Sequence, residues 1–291
     1  MNVVSVLITC HNRKVKTLAC LDALFNNTLS GEYSLEVIFV DDGSTDGTSE
    51  KISAKFPDVH ILHGDGNLFW NRAMHLACKE AQATSCDFAV WLNDDTVLYP
   101  DALQTLLNTF NTLRRDVTSR LIIVGALCDP VSHTLSYSGW RTRNRWNPAD
   151  CVKIAPAEMP IECDTMNGNC VLISRDALQA TGNLDPVFTH AMGDMDYGFR
   201  ARRAGCDIWL APGFVGECQT NDGKGLWSDR SLPWRERFRK LLGPKGLPPK
   251  EWFVFTRRHS GPFWFVYWIF PYVKFCFQGL TSIFHGKAKR S

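Results

Sequence analysis

The sequence predicts an α/β fold in which helices cover both faces of a mainly parallel sheet. Short apolar runs alternate with helical patterns along about the first 215 residues, as expected for repeated strand–helix units. The apolar runs are nearly unbroken, which is typical of strands buried on both faces. Two of them end in paired acidic residues, at 41–42 and at 94–95. Ligands of open α/β sheets bind beyond the carboxyl ends of strands, so these acids mark the predicted site.

The predicted elements follow one another without an internal repeat. The predicted strands are residues 3–9, 35–40, 59–62, 88–92, 121–126, 170–173 and 207–210. The predicted helices are residues 15–27, 46–56, 70–83 and 101–113, a short helix from 175, and a helix that starts near 193 and ends at 205. Polar stretches rich in Trp and Arg between about 129 and 160 predict irregular hairpins on the active face.

The charge distribution divides the 291 residues. Residues 1–223 carry 18 Lys/Arg against 27 Asp/Glu, whereas residues 224–291 carry 14 against 3. We therefore expect a body at 1–216 and a basic, aromatic extension at 217–291 that meets an anionic partner, such as a phospholipid surface or a lipid diphosphate. Nucleic acid would fit the charge, but no nucleic-acid motif accompanies it, so no nucleic-acid partner is expected.

The last part of the extension is apolar. Residues 262–273 contain no charge, but Lys274, Gln278 and Pro271 weaken the case for a spanning helix. The Trp and Tyr density favours a membrane interface, and packing on the protein's own core is the alternative. Eleven scattered cysteines without a CxxC pair and a start without a signal-peptide pattern predict a cytoplasmic protein.

The paired acids suit a nucleotide site with a cation. Asp41 and Asp42 can accept hydrogen bonds from the hydroxyl and ring N–H groups of a nucleoside; a capped turn is the alternative. Asp94 and Asp95 can supply carboxylate oxygens to a hard divalent cation that also takes diphosphate oxygens; a strand-end turn is the alternative. Asp194, near a helix start, is the predicted general base for an acceptor hydroxyl, with simple capping as the alternative.

Other polar residues near the strand ends complete the predicted site. His190 is the alternative base, and Asp196 shares the helix start with the predicted base. Arg72, near the start of a helix, is a candidate phosphate contact, although an exposed structural role fits equally well. The candidates for the nucleotide pocket at the first strand end and in the following glycine-rich turn are Thr9, His11, Asn12, Arg13 and Asn67.

Taken together, these motifs resemble the family 2 glycosyltransferases, which have the GT-A fold. Four segments in this order carry the resemblance: residues 8–13 (ITCHNR), 41–48 (DDGSTDGT), 92–96 (LNDDT) and 193–200 (GDMDYGFR). Residues 66–70 (GNLFW) are similar to a subgroup in bacterial surface-polysaccharide synthesis that includes rhamnosyltransferases. The resemblance covers roughly residues 1–215.

The resemblance implies inverting transfer of a sugar from a UDP-, dTDP- or GDP-linked donor to a hydroxyl. By analogy, Asp42 holds the base or ribose, Asp94 lies near the ribose, and Asp95 binds Mg²⁺ or Mn²⁺. Asp194 is the base for displacement at the anomeric carbon. The residues expected near the donor sugar or acceptor are Gly168, Asn169, His190 and Asp196.

Three departures from the family pattern refine this expectation. Gly193 stands where the family often has Glu, and residues 213–221 lack the late His that many members give to the metal. The Gln-x-x-Arg-Trp motif and multiple spanning helices of processive members are absent. We therefore expect single additions to a saccharide or polyprenyl-linked acceptor, by an enzyme bound peripherally to the inner face of the cell membrane.

Two other functions remain as alternatives. One is a non-catalytic GT-A scaffold of a membrane-associated complex, which Gly193 and the missing His leave open. The other is a sugar-1-phosphate nucleotidyltransferase, which needs a glycine-rich signature after the first strand, whereas residues 9–14 contain no glycine.

Overall fold

A computed structural model describes residues 1–84, 86–116, 119–144, 146–221 and 223–288. Its contacts define two compact units: residues 1–141 with 152–220, and residues 142–151 with 221–291. The predicted division into domains at residue 216 stays a prediction, because a compact unit does not have to fold alone.

The strands and helices alternate along the chain as predicted. The strands are β1 (Asn2–Cys10), β2 (Tyr33–Asp41), β3 (His60–His63), β4 (Phe88–Asn93), β5 (Val97–Leu98), β6 (Leu121–Cys128), β7 (Leu135–Tyr137), β8 (Gly139–Thr142), β9 (Cys151–Lys153), β10 (Ile161–Cys163), β11 (Thr165–Met166), β12 (Cys170–Ser174) and β13 (Asp207–Glu217). The helices are α1 (Lys14–Phe25), α2 (Thr48–Lys55), α3 (Phe69–Ala83), α4 (Ala102–Asp116), α5 (Arg175–Thr181), α6 (Gly193–Arg203), α7 (Trp234–Leu241), α8 (Pro249–His259) and α9 (Trp264–Ala288), with a 3₁₀ turn at Gly261–Phe263.

A mixed sheet forms the centre of the first unit. Within the described residues its main path runs β10-β13-β6-β12-β4-β1-β2-β3. The neighbours β4, β1, β2 and β3 are all parallel, and β13 is parallel to β6. Strand β12 is antiparallel to both β4 and β6 and separates the two parallel groups. The prediction of an α/β fold with a mainly parallel central sheet is confirmed.

Both faces of this sheet are buried, which explains the unbroken apolar runs. In β1, Val6 and Ile8 belong to one core cluster and Leu7 belongs to the other. Helices α1 and α4 contribute to the first cluster, through residues such as Leu21. Helices α3 and α6 contribute to the second, through residues such as Tyr197. Successive side chains of a strand point to opposite faces of the sheet. When both faces are buried, neither set of side chains needs to be polar, and the strand sequence is apolar throughout.

The region between β6 and α5 is more regular than the sequence predicts. It contains β7 to β12, and β11, β8 and β9 form a separate three-stranded sheet. Strand β13 runs to Glu217, although only residues 207–210 were predicted as strand. Its register against β6 shifts twice after Leu210, and these shifts carry the strand past Pro212 and Gly213.

The second unit contains α7, α8 and α9. Helix α9 has 25 residues and carries Pro271 inside it. Among the described residues, no helix combines the length and the apolar character that crossing a bilayer requires.

Candidate functional site

The pairing of three parallel strands brings the predicted acidic segments together. Cys10 at the end of β1 pairs with Asp41 at the end of β2, and Thr9 pairs with Asn93 at the end of β4. The three strands therefore end level with one another. The loops that follow them carry Arg13, the 42–48 turn and the 94–95 pair to one edge of the sheet, where ligands bind in open α/β folds.

Asp41 is buried and organises the turn that follows it. Its Oδ1 accepts a hydrogen bond from the backbone N–H of Ser44 (2.8 Å), and its Oδ2 accepts one from the hydroxyl of Ser49. Only 3% of Asp41 is exposed. The predicted contact of Asp41 with a nucleoside stays a prediction. In such a contact, one of the two carboxylate oxygens would accept a second hydrogen bond through its other lone pair.

Asp42 is equally buried and holds the following glycine-rich segment. Its Oδ1 accepts from the N–H of Gly66 (2.8 Å) and its Oδ2 from that of Phe69 (2.9 Å). A Cβ on Gly64 would lie 2.5 Å from Asp42 Oδ1, so only glycine allows this approach. Phe69 has a positive φ of 55°, a conformation that costs free energy and is held here by Asp42. Asn67 lies exposed in the same segment.

The first loop is tied to the second by His11 and Asn12. His11 Nδ1 lies 2.5 Å from the carbonyl oxygen of Asp42. Asn12 Oδ1 accepts from the N–H of Thr45 (2.7 Å), and Asn12 adopts a positive φ of 53°. Thr9 is half-buried within β1. His11 and Asn12 therefore belong to one hydrogen-bonded pair of loops, and Thr9 lies in the strand that leads into the first loop.

Arg13 bridges the two acids that follow β4. Its guanidinium donates to Asp94 Oδ1 (2.9 Å) and also to Asp95 Oδ2. Lys16, one turn further along α1, places its Nζ 4.0 Å from Asp95. Burial raises the pKa of the Asp94 carboxyl to about 6, while the Arg13 charge opposes that shift. The negative charges of Asp94 and Asp95 are thus compensated by the positive charges of Arg13 and Lys16.

The residues around this pair fit a hard divalent cation that arrives with a diphosphate. Asp94 Oδ2 is buried and has no hydrogen-bond partner among the described residues, and carboxylate oxygens are the ligands such cations prefer. The Cys218 thiol lies 3.6 Å from Asp95 Oδ1, in the segment where the family often supplies His. No group of three His, Cys, Asp or Glu side chains in the described residues is arranged to hold a metal alone. Diphosphate oxygens would complete the coordination.

Asp194 lies in the first turn of α6. Its Oδ2 accepts from the N–H of Gly168 (3.0 Å), and its Oδ1 accepts from the N–H of Met195 (2.8 Å). Burial raises the pKa of Asp194, and these backbone hydrogen bonds oppose the shift. Trp70 connects this carboxylate to the end of β4: a Cβ on Gly168 would lie 2.4 Å from the Trp70 ring, and Trp70 Nε1 donates to Asn93 Oδ1 (2.8 Å).

The remaining predicted residues do not all reach this edge. Asp196 has no exposed surface and pairs with Arg200 (2.7 Å), so its geometry does not support the predicted sugar contact. Arg72 donates to the carbonyl oxygen of Pro186 (3.1 Å), a structural contact. The rings of His190 and Phe69 form a T-shaped contact, with 6.3 Å between their centroids.

Asn169 is buried beside the acids of the site. Its carbonyl oxygen accepts from the N–H of Asn93 (3.0 Å), and its side-chain amide donates to Cys218 Sγ (3.8 Å).

Sequence reasoning missed three residues of this region: Trp70, Lys16 and Cys218. The 66–70 segment was singled out, but nothing in it indicated that the Trp70 indole joins β4 to Gly168.

Asn71 explains why Gly193 stands where a second acid is common in the family. A Cβ on Gly193 would lie 1.8 Å from Asn71 Oδ1. Asn71 is fully buried, and its amide group donates to the carbonyl oxygens of Asp185 and Phe188, both at 2.8 Å. The side chain is therefore fixed in the space that a larger residue at 193 would need.

The family of the chain follows from its sequence together with this site. Residues 5–181 match the profile of Glycosyl transferase family 2. The match covers more than half of the chain, so the chain belongs to this family.

Two curated relatives from Mycobacterium tuberculosis strains are named N-acetylglucosaminyl-diphospho-decaprenol L-rhamnosyltransferase. Each is 26% identical over 214 residues, which cover 63% of this chain and 65% of the relative. The match thus spans slightly less than two thirds of those proteins.

Solved structures support the GT-A fold. GalNAc-T7 with UDP, GalNAc and Mn²⁺ has a TM-score of 0.60 at 16% identity, over 77% of this chain and 44% of that chain. The Pyrobaculum calidifontis mannosyltransferase PcManGT with GDP-Man and Mn²⁺ has a TM-score of 0.55 at 17% identity, over 91% and 67%. S. aureus TarS has a TM-score of 0.55 at 12% identity, over 88% and 42%.

Substituting Gly193 by Ala should destabilise the protein because the new methyl group meets Asn71. We expect a loss of about 1–3 kcal/mol in the free energy of unfolding, despite the better helix propensity of Ala. In an Asn71→Ala background the same change should cost at least about 1 kcal/mol less. Urea denaturation of the four proteins measures this coupling. Additive losses would show that Asn71 does not restrict residue 193.

Removing the Arg13 charge should leave the acid pair only partly compensated, by Lys16. We expect Arg13→Gln to lower the free energy of unfolding by about 1–3 kcal/mol at pH 7.5, a range reduced because the pair is partly exposed. The folded-state pKa of Asp94 is raised, so its charge is lost as pH falls through about 6. The loss caused by Arg13→Gln should therefore shrink at pH 5.

Lys55→Gln provides the matched control for this experiment. Lys55 pairs with Asp22 on the surface, and both side chains are 45% exposed. Its substitution should change the free energy of unfolding by less than about 1 kcal/mol. Denaturation curves at both pH values give the comparison. An Arg13→Gln loss that is equal at pH 5 and pH 7.5 would contradict the proposed charge balance.

Proposed function

We propose that this chain is a glycosyltransferase, and that it transfers a hexosyl group, with inversion, from a UDP-, dTDP- or GDP-linked donor to a lipid-linked saccharide. The enzyme is non-processive and adds one sugar each time it binds an acceptor. It uses Mg²⁺ or Mn²⁺, and it acts in polysaccharide synthesis at the cytoplasmic face of the membrane. The observation that carries this proposal is the environment of Asp194. Its carboxylate is half-buried and has a raised pKa, and its contacts with Gly168 and Trp70 connect it to the sheet edge that holds the acid pair.

Asp194 acts as the general base in this mechanism. Its carboxylate takes the proton of the acceptor hydroxyl, the hydroxyl oxygen bonds to the anomeric carbon, and the bond from that carbon to the diphosphate oxygen breaks. Attack opposite the leaving group inverts the anomeric centre. The hydrogen bond from the Gly168 N–H keeps the carboxylate oriented. A raised pKa makes Asp194 a stronger base than an exposed aspartate.

The donor diphosphate would lie near Arg13, Asp94 and Asp95. Asp95, with Asp94 beside it, would hold the divalent cation. When bound, this cation neutralises negative charge on the departing nucleoside diphosphate. Arg13 and Lys16 lie within reach of the same group and would bind its oxygens directly. The solved structures of GalNAc-T7 and PcManGT, which share this fold, were determined with Mn²⁺, and this supports the use of a divalent cation.

The proposed acceptor rests on two observations outside the site. The curated relatives are named for transfer to a diphospho-decaprenol-linked sugar. The basic composition of residues 224–291 suits the anionic diphosphate and headgroups of such a substrate. Single additions are proposed because the Gln-x-x-Arg-Trp motif of processive members is absent from the sequence.

Replacing the proposed base should separate catalysis from binding. Asp194→Asn should lower the rate of sugar transfer by about 10²–10⁴-fold, because the amide cannot take a proton. Binding of a nucleoside diphosphate should be unchanged. In the wild-type protein, kcat/KM should fall with decreasing pH as Asp194 is protonated, starting at higher pH than for an exposed aspartate. Transfer assays and calorimetric titration measure both quantities.

Asp176→Asn is the control for that variant. Asp176 also lies in the first turn of a helix, α5, but its side chain is exposed. It should leave both transfer and binding unchanged. Wild-type transfer rates in Asp194→Asn would remove Asp194 from the mechanism.

A further inference from the structure

Helix α9 has one face that packs within the second unit. Trp268 Nε1 donates to the carbonyl oxygen of Pro249 (3.1 Å), and the Tyr272 hydroxyl donates to that of Leu247 (2.8 Å). Phe275 is 3% exposed, with its ring 5.8 Å from that of Trp234. These contacts join α9 to α7, to α8 and to the segment between them.

The opposite face of α9 is apolar and exposed. Its residues follow one another at intervals of one, three or four positions, so they share one side of the helix. Their exposed fractions range from 42% at Val273 to 65% at Phe277. We call this set the outer face of α9: Phe265, Val266, Ile269, Phe270, Val273 and Phe277. Contiguous exposed apolar surface of this kind marks an interaction site.

Lys274 borders the outer face, and two further basic side chains belong to the adjoining helix α8. Lys274 Nζ lies 6.0 Å from the centroid of the Phe270 ring, and the Arg257 guanidinium lies 5.5 Å from that of Trp264. Lys250, at the start of α8, is exposed. Long cationic side chains can keep their charges at headgroup level while their stems cover apolar surface. Aromatic rings and basic side chains together are typical of helices that lie in a membrane interface.

We propose that the outer face of α9 inserts into the interface of an anionic phospholipid bilayer. This inference rests on the proposed work at a membrane and assigns the surface that makes the contact. Charge complementarity selects the bilayer: residues 224–291 carry 14 basic against 3 acidic residues. A second copy would bring an equally basic surface against the first. The helix lies along the membrane, with its packed face held by α7 and α8.

Cys276 gives a native position for a probe. It is the one exposed cysteine of the eleven, and it adjoins Phe277 on α9. A polarity-sensitive maleimide dye on Cys276 should shift its emission to shorter wavelength with phosphatidylglycerol vesicles and much less with phosphatidylcholine vesicles. The shift should weaken in 0.5 M NaCl but not disappear, because salt screens the attraction to the headgroups and does not screen inserted apolar side chains. Complete loss of the shift in salt would overturn insertion and leave only charge adsorption.

Substitutions on the outer face test its role without the dye. Phe270→Ser with Phe277→Ser should reduce cosedimentation with phosphatidylglycerol vesicles by about tenfold or more. The matched control is Val131→Ser with Met159→Ser, two apolar residues of the first unit that are 81% and 71% exposed. The control should sediment like the wild type. Equal sedimentation of the outer-face variant would overturn the proposal.

Two further measurements separate this inference from other outcomes. A dimer that sedimentation velocity detects without vesicles, and that the outer-face variant abolishes, would assign the face to a second copy and overturn the proposal. Transfer to a water-soluble saccharide acceptor without vesicles should be equal in the outer-face variant and the wild type. Vesicle binding by a wild-type protein that transfers no sugar would refute the proposed function and leave the bilayer contact standing.

Discussion

The level ends of β4, β1 and β2 are the constraint on which the site depends. Pairing of Cys10 with Asp41 and of Thr9 with Asn93 fixes where three loops leave the sheet. A slip of one residue would turn every side chain of a strand to the other face, and burial on both faces forbids that. The core thus sets the distance between Arg13 and the acids that follow β4.

Charge balance then shapes what this edge can bind. The negative pair at 94–95 would be costly if left alone, because Asp94 is buried. In the part of the chain that the structure describes, one of its oxygens also has no hydrogen-bond partner. Arg13 and Lys16 compensate the pair. A divalent cation must share these oxygens with Arg13, so the negative charge of a diphosphate favours its binding. Nucleotide and cation are therefore expected to bind together.

The sequence predicted the strand ends well because their signal is local. Apolar runs followed by acids are visible without knowing the partner strands, and the fold rule places their ends at one edge. It could not predict that both oxygens of Asp42 accept backbone hydrogen bonds from the 66–69 segment, since such contacts depend on how two loops meet. It also could not show that Asp196 points into the core towards Arg200.

The sequence also could not predict steric contacts between residues that lie far apart along the chain. From the sequence alone, Gly193 looks like a position where an acid is missing. The structure shows that Asn71, more than a hundred positions earlier, lies against it.

The sequence also left open whether the C-terminal aromatic run packs on the protein or meets a membrane. The structure shows that α9 has a packed face and an exposed apolar face, a division that its dense aromatic composition hid.

The central claim is that the loops after β1, β2 and β4 form one site for a nucleotide and a cation. Anomalous X-ray diffraction from crystals grown with Mn²⁺ and a nucleoside diphosphate tests it most directly. The account predicts one manganese peak within about 2.5 Å of an Asp95 carboxylate oxygen and of a diphosphate oxygen. A bound nucleotide whose manganese peak lies away from Asp95, or a nucleotide at another edge of the sheet, would contradict it.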